Sequence, residues 1–135
     1  MEAKEHMNIF IIDDNKMFAL LLKTELENSF SERNFVISTF ESGEACENML
    51  HLEPDLVLVD YHLDSTGKDA MNGIEVIDMI RKHCPETDFI MITMDEHTEL
   101  FLRSKNHDIY DYLIKSPHIA YKLNLSVSHW LNLKN

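Results

Sequence analysis

Asp60 closes the apolar run Leu56-Val57-Leu58-Val59, and the acidic pair Asp13-Asp14 closes another, Ile9 to Ile12. A run buried on both faces reads as a central strand of a parallel sheet, and ligand sites on such sheets lie at the carboxyl ends of the strands. Three acids therefore converge on one edge. Left bare, they would repel one another and push up their own pKa values, so the cluster calls for a divalent cation or a cationic side chain. Lys115, after the run Tyr112-Leu113-Ile114, is the candidate side chain. Hard oxygen ligands without a companion His or Cys cluster point to Mg²⁺ or a similar ion, held by a few carboxylates plus a phosphate. An ion on Asp13 or Asp14 together with Asp60 leaves positions for phosphoryl oxygens, and Asp60 then suits the nucleophile of aspartyl-phosphate chemistry. Metal and Lys115 would neutralise the transferring group, and Thr93, ending a further apolar run, offers it a hydroxyl.

The elements that must position these residues can be read from periodicity. Strand-like runs recur at Asn8 to Ile12, Phe35 to Phe40, Leu56 to Asp60, Phe89 to Thr93 and Ile109 to Ile114, with helical patterns between them. Phe18, Leu21, Leu22 and Leu26 share one face at helical spacing. A second helix starts at Ser42-Gly43-Glu44-Ala45, with Ser42 as N-cap, and runs through Leu50. Ile74, Ile77 and Ile80 mark a third, stopped by Pro85. A mostly polar fourth covers about Glu96 to Lys105. The fifth carries Ile119, Leu123, Val127 and Trp130 on one stripe and opens at Ser116-Pro117, as N-cap and first helical position. Five strands each followed by a helix predict an α/β, doubly wound, five-stranded parallel sheet. For Asp13, Asp14 and Asp60 to meet, the first and third strands must be neighbours, which gives the order 2-1-3-4-5.

The 135 residues suffice for one domain with its own core, about residues 7–133, without metal or disulfide staples. A formal charge of -12 argues against a nucleic acid backbone as direct ligand and favours basic protein surfaces. Cys46 and Cys84 are too few for a disulfide framework and read as inert thiols of a reducing cytosol. The apolar stretches are too short to cross a bilayer and the start does not resemble a signal peptide, so the expected location is cytoplasmic. The eight methionines read as core filler.

At these residues the chain resembles the receiver domain of two-component response regulators (CheY-like, flavodoxin-like), over nearly its whole length. The family's acidic pair falls on Asp13-Asp14, its phosphoacceptor on Asp60, its switch hydroxyl on Thr93, its lysine on Lys115 and its aromatic switch position on Tyr112. The resemblance implies that Asp60 accepts a phosphoryl group from a histidine kinase or phosphotransfer protein. Mg²⁺ would be held by Asp14 and Asp60 directly, by Asp13 through water, and by the backbone carbonyl of His62. It further implies that His62 and Asp95 tune phosphate lifetime. Drawing the Thr93 hydroxyl to the phosphate would let Tyr112 rotate inward and repack the face that downstream protein targets read, where homodimers of this family also form. The domain would assist its own phosphorylation and dephosphorylation without being a turnover enzyme. Only Leu131 to Asn135 follow Trp130, so no effector domain is expected within the chain.

Three departures stand out. Asn72-Gly73 comes thirteen residues after Asp60 where the family's glycine comes about eight after, so His62 to Asn72 carries an insertion that includes Asp64, Lys68 and Asp69. Met94 replaces the usual small residue after the switch hydroxyl and would crowd the phosphate. Ser116 separates Lys115 from the family's proline, so the cis bond often found there is not carried over. Two other readings remain at this point. A receiver-like scaffold would bind partners without phosphorylation, as Met94 and the insertion would suit. A haloacid dehalogenase-like phosphatase would need a second acid two residues after its nucleophile, where His62 stands, and would carry that nucleophile on strand one.

Overall fold

The computed structural model describes residues 6–63 and 71–134. Strands and helices alternate along the chain: β1 (Met7–Ile12), α1 (Lys16–Ser29), β2 (Phe35–Phe40), α2 (Gly43–Glu47), a 3₁₀ turn (Leu50–Leu52), β3 (Leu56–Asp60), α3 (Gly73–His83), β4 (Asp88–Thr93), α4 (Glu96–Ser104), β5 (Asp111–Ile114) and α5 (Ile119–Lys134). All neighbouring strands pair in parallel, in the order β2-β1-β3-β4-β5. The sheet order is the one the convergence of acids requires.

The period-2 alternation of each strand divides the core into two layers. Ile9, Ile11, Leu56, Leu58, Ile90, Ile92 and Leu113 pack against α1 and α5, around the buried indole of Trp130. Phe10, Ile12, Val57, Val59, Phe89, Met91 and Tyr112 face the other way, onto Cys46, Leu50, Val76, Ile77, Ile80 and Leu102. Every residue of β3 is buried, as expected of a central strand covered on both faces. Polar groups tie the layers at their margins. Trp130 Nε1 donates to Asp88 Oδ2 at 2.8 Å, and the buried Ser126 hydroxyl donates to Asp111 Oδ2 at 2.6 Å.

Four elements depart from the sequence reading. Leu21 is 52% exposed, because the buried stripe of α1 runs through Ala19, Leu22 and Leu26 with Phe18 at its edge. α2 stops at Glu47 rather than Leu50. Beyond it the backbone closes with three-residue bonds, Met49 N to Cys46 O and Leu52 N to Met49 O, and leaves through Glu53 in the left-handed region at φ 53°. α5 begins at Ile119, not at Ser116-Pro117, since Ser116 closes a tight turn ahead of it. Its hydroxyl accepts from His118 N and its carbonyl from Ile119 N. β5 begins at Asp111, two residues after expected, because Asn106 and Asp108 are left-handed and Arg81 holds the His107 and Asp108 carbonyls. Of the methionines, Met91 is fully buried, whereas Met17 and Met94 are exposed, so the core-filler reading holds only in part. Both cysteines are free and buried. No described helix is long and apolar enough to cross a membrane.

Candidate functional site

The register of the sheet brings the ends of β1, β3, β4 and β5 to one edge, and backbone bonds extend the ladder past each strand. Asp13 N donates to Phe40 O, Tyr61 N to Ile92 O and Lys115 N to Thr93 O. Helix caps fix the loops that leave this edge. Asn15 caps α1 through Phe18 N, Asp95 caps α4 through Thr98 N, and Asn72 with Glu75 forms a reciprocal capping box on α3. Gly73 lets α3 start against the phosphoacceptor candidate itself: a Cβ there would lie 2.7 Å from Asp60 O and from Tyr61 Cα.

Three of the residues singled out in the sequence meet at this edge as carboxylates. Asp13, Asp14 and Asp60 each offer an oxygen within 4.8 Å of the others, with Asp13 and Asp60 almost fully buried. Lys115 Nζ lies 3.0 Å from Asp13 Oδ2 and 3.2 Å from Asp60 Oδ2. The second oxygens are held by main chain: Asp13 Oδ1 accepts from Asn15 N at 2.9 Å and Asp60 Oδ1 from His62 N at 3.1 Å. Burial raises the pKa of both carboxyls above the ordinary range, and for Asp60 the Asp13 charge adds to it, while Lys115 opposes the shift. Burial works to lower the Lys115 ammonium, but its bonds and charge interactions with Asp13 and Asp60 outweigh it and leave its pKa raised.

This donor set fits a hard divalent cation. Besides the clustered carboxylates, Asp13 Oδ2 is buried and, among the described residues, is met only by the Lys115 ammonium at 3.0 Å. A free lone pair beside two other carboxylates suits Mg²⁺, which favours oxygen ligands. The His62 carbonyl follows directly on the His62 N–H that holds Asp60.

Thr93 is fully buried at the end of β4, and its hydroxyl donates to the Asp95 carbonyl at 3.4 Å. Alternation puts Thr93 on the same face of β4 as Met91, which pairs with Tyr112. Tyr112 was expected to rotate inward on activation. Here it is already buried, with the Arg103 guanidinium 4.7 Å from its ring centroid and Arg103 in turn bonded to Glu99. Asp95 spends its carboxylate capping α4. The Thr98 hydrogen bonds hold its pKa below the ordinary range, and the His97 and His62 charges add to this. His62 is exposed, its ring edge-on to Tyr61. Met94 is 56% exposed. Asp64, Lys68 and Asp69 of the insertion lie outside the described residues.

Sequence reading missed two neighbours of the site. Phe18 was assigned to the helix stripe alone, but its ring centroid stands 4.5 Å from Lys115 Nζ. Arg103 was not singled out at all. The Asn72-x-x-Glu75 spacing is a capping-box signature and marks the start of α3 from sequence.

Comparison with known proteins agrees with this geometry. The family model described as the response regulator receiver domain matches residues 9–121. The response regulator protein VraR of Staphylococcus saprophyticus is 23% identical over 110 residues, 82% of this chain and 50% of that protein. The luminescence regulatory protein LuxO of Vibrio campbellii is 29% identical over 119 residues, 88% of this chain and 24% of that protein. The chain thus spans half or less of these relatives. Among solved structures, the receiver domain of NtrX from Brucella abortus superposes with a TM-score of 0.76 at 22% identity, covering 92% of this chain and 98% of that one. A CheY-like receiver domain protein from Methanospirillum hungatei gives 0.72 at 22% identity, covering 94% of each. These likenesses establish the shared fold.

Proposed function

The chain belongs to the response regulator receiver domain family, and from that membership we propose that it is a phosphorylatable switch in which Asp60 takes a phosphoryl group from a phosphohistidine of a kinase or phosphotransfer protein. The observation that carries this reading is the placement of the Lys115 ammonium 3.0 and 3.2 Å from two buried carboxylates at the ends of different strands. In the transfer, an Asp60 carboxylate oxygen forms a bond to phosphorus as the phosphorus–nitrogen bond of the donor breaks, and the freed imidazole takes a proton from solvent. Asp14, Asp60 and the His62 carbonyl directly, and Asp13 through water, would hold Mg²⁺, which would supply positive charge to the phosphoryl oxygens. Lys115 turns from Asp60 to those oxygens, so a charge already paired in the resting site is reused in the product. The His62 N–H holds the carboxylate by its other oxygen.

The consequence is a shift in the balance of two arrangements rather than a change of fold. A phosphoryl group brings strong acceptors and roughly one and a half to two negative charges. The Thr93 hydroxyl exchanges its long bond to Asp95 O for a phosphoryl oxygen, and the loop at the start of α4 follows. With Thr93 withdrawn, the buried arrangement of Tyr112 is favoured and the α4-β5-α5 face settles into the form a protein target reads. His62, two residues past the phosphoacceptor, and Asp95, the N-cap of α4, set how readily water reaches the phosphoryl group. The whole chain acts as one receiver domain whose output is protein binding, not catalytic turnover. Titration with Mg²⁺ and beryllofluoride, followed by amide NMR, tests this. The expected result is saturable shifts at Asp60, Thr93 and Tyr112, and silence at all three contradicts it.

A further inference from the structure

We infer that Phe18 is a positioning residue for Lys115, its aromatic face supplying the third side of the cage in which the ammonium works. The inference rests on the phosphoryl-transfer reading and adds a residue to it. Lys115 Nζ has Asp13 Oδ2 at 3.0 Å, Asp60 Oδ2 at 3.2 Å and the Phe18 ring centroid at 4.5 Å. The lysine side chain is only 20% exposed. A cation within about 6 Å of a ring centroid is attracted by the ring's quadrupole, and more strongly where water is excluded.

The backbone of Phe18 is tied to one of these acids through Asn15. Asp13 Oδ1 accepts from Asn15 N at 2.9 Å, and Asn15 Oδ1 accepts from Phe18 N at 3.0 Å. The turn that places Asp13 in the cluster therefore also places Phe18 above it. Phe18 packs at the margin of the α1/α5 core layer, so its edge is anchored in apolar contacts while its face meets the ammonium.

The arrangement suits a lysine that must change partners. A bond to Asp60 has to be released when a phosphoryl group arrives there, whereas attraction to a ring face consumes no N–H donor. The ammonium keeps a fixed neighbour while its donors pass from carboxylate to phosphoryl oxygen. An aliphatic side chain at position 18 would fill the space without supplying the attraction.

The test replaces Phe18 with Leu, with Trp, and with phenylalanines carrying one, two and three ring fluorines, which keep shape while draining the ring's negative face. Two quantities are read: the rate of Asp60 phosphorylation by acetyl phosphate with Mg²⁺, and the NMR shifts of the Lys115 methylene protons in the unphosphorylated chain. The expected result is a stepwise fall in rate with fluorine number, reaching about threefold to tenfold in the trifluoro and Phe18→Leu chains, with Phe18→Trp close to the unmodified chain. The Lys115 methylene protons should be ring-shifted upfield, and Phe18→Leu should return them to ordinary positions. A flat rate across the fluorinated series, or Lys115 shifts unaffected by Phe18→Leu, overturns the inference. If the unmodified chain accepts no phosphoryl group at all, the phosphoryl-transfer reading itself falls; a chain that is phosphorylated with a flat series sinks the role of Phe18 alone.

Discussion

Gly73→Ala probes how tightly the fold and the site are joined. The added Cβ would sit 2.7 Å from both Asp60 O and Tyr61 Cα, against an ordinary contact of 3.4 Å, so α3 and the end of β3 must part by about 0.7 Å. Both obstructing atoms are main chain, and no rotamer change relieves them. Overpacking of this kind costs about 1–3 kcal/mol, and the stiffer unfolded chain offsets about 0.4–1 kcal/mol of it. The net loss is about 1–2 kcal/mol. With an unfolding entropy of about 0.28 kcal/mol/K for 135 residues, the melting temperature should fall by about 4–7 °C. Because the displaced segment includes Asp60 and leads into His62, Mg²⁺ should also stabilise the variant less than the unmodified chain at equal concentration. Thermal denaturation with Mg²⁺ and with chelator measures both. A melting temperature within 1 °C of the unmodified chain, together with an undiminished Mg²⁺ increment, would refute the claim that this glycine sets the distance between α3 and the acid cluster.

Without Mg²⁺, Asp13 and Asp60 bind their protons more tightly folded than unfolded, since burial raises both pKa values. Their penalty is absent below the ordinary value of 3.8 and complete once pH has risen through the folded values, so this contribution to stability declines as pH rises. Asp13→Asn should accordingly stabilise the metal-free chain by on the order of 1 kcal/mol near neutral pH and by less near pH 4, as urea midpoints will show. An equal gain at both pH values would contradict the assignment to charge. Arg103→Gln removes the guanidinium over Tyr112 and should cost about 0.5–1 kcal/mol while speeding exchange of the Tyr112 ring signals; unchanged ring NMR would mean that Arg103 does not hold the ring. Trp130→Phe leaves a cavity and breaks the 2.8 Å bond to Asp88, and should cost about 1–3 kcal/mol by denaturant titration. A loss under half of that would show that the indole is loosely packed.

The sheet and most of the site were legible because each key residue ends an apolar run. Burial on both faces forces such runs into the sheet, and the need to bring Asp13, Asp14 and Asp60 together admits only an arrangement with β1 beside β3. Thr93 and Lys115 were legible by the same logic, as the polar residues that close β4 and follow β5. What escaped depended on how helices are rotated about their own axes. Leu21 and Phe18 lie on a single helical stripe in sequence, but packing of α1 leaves Leu21 in solvent and turns Phe18 toward the lysine. Arg103 meets Tyr112 only because Leu102 is the buried anchor of α4. The early end of α2 reflects three-residue closures around Met49 that no periodicity marks. The burial of Tyr112 likewise follows from side-chain packing between α4 and β5, which strand patterning does not reach.

The account turns on Asp60 as phosphoryl acceptor, and intact-mass spectrometry of the chain incubated with acetyl phosphate and Mg²⁺ tests it most directly. The account predicts the added mass of one phosphoryl group, removed by hydroxylamine as an acyl phosphate would be and absent from Asp60→Asn. An unshifted mass for the unmodified chain, or an adduct that persists in Asp60→Asn, would contradict it.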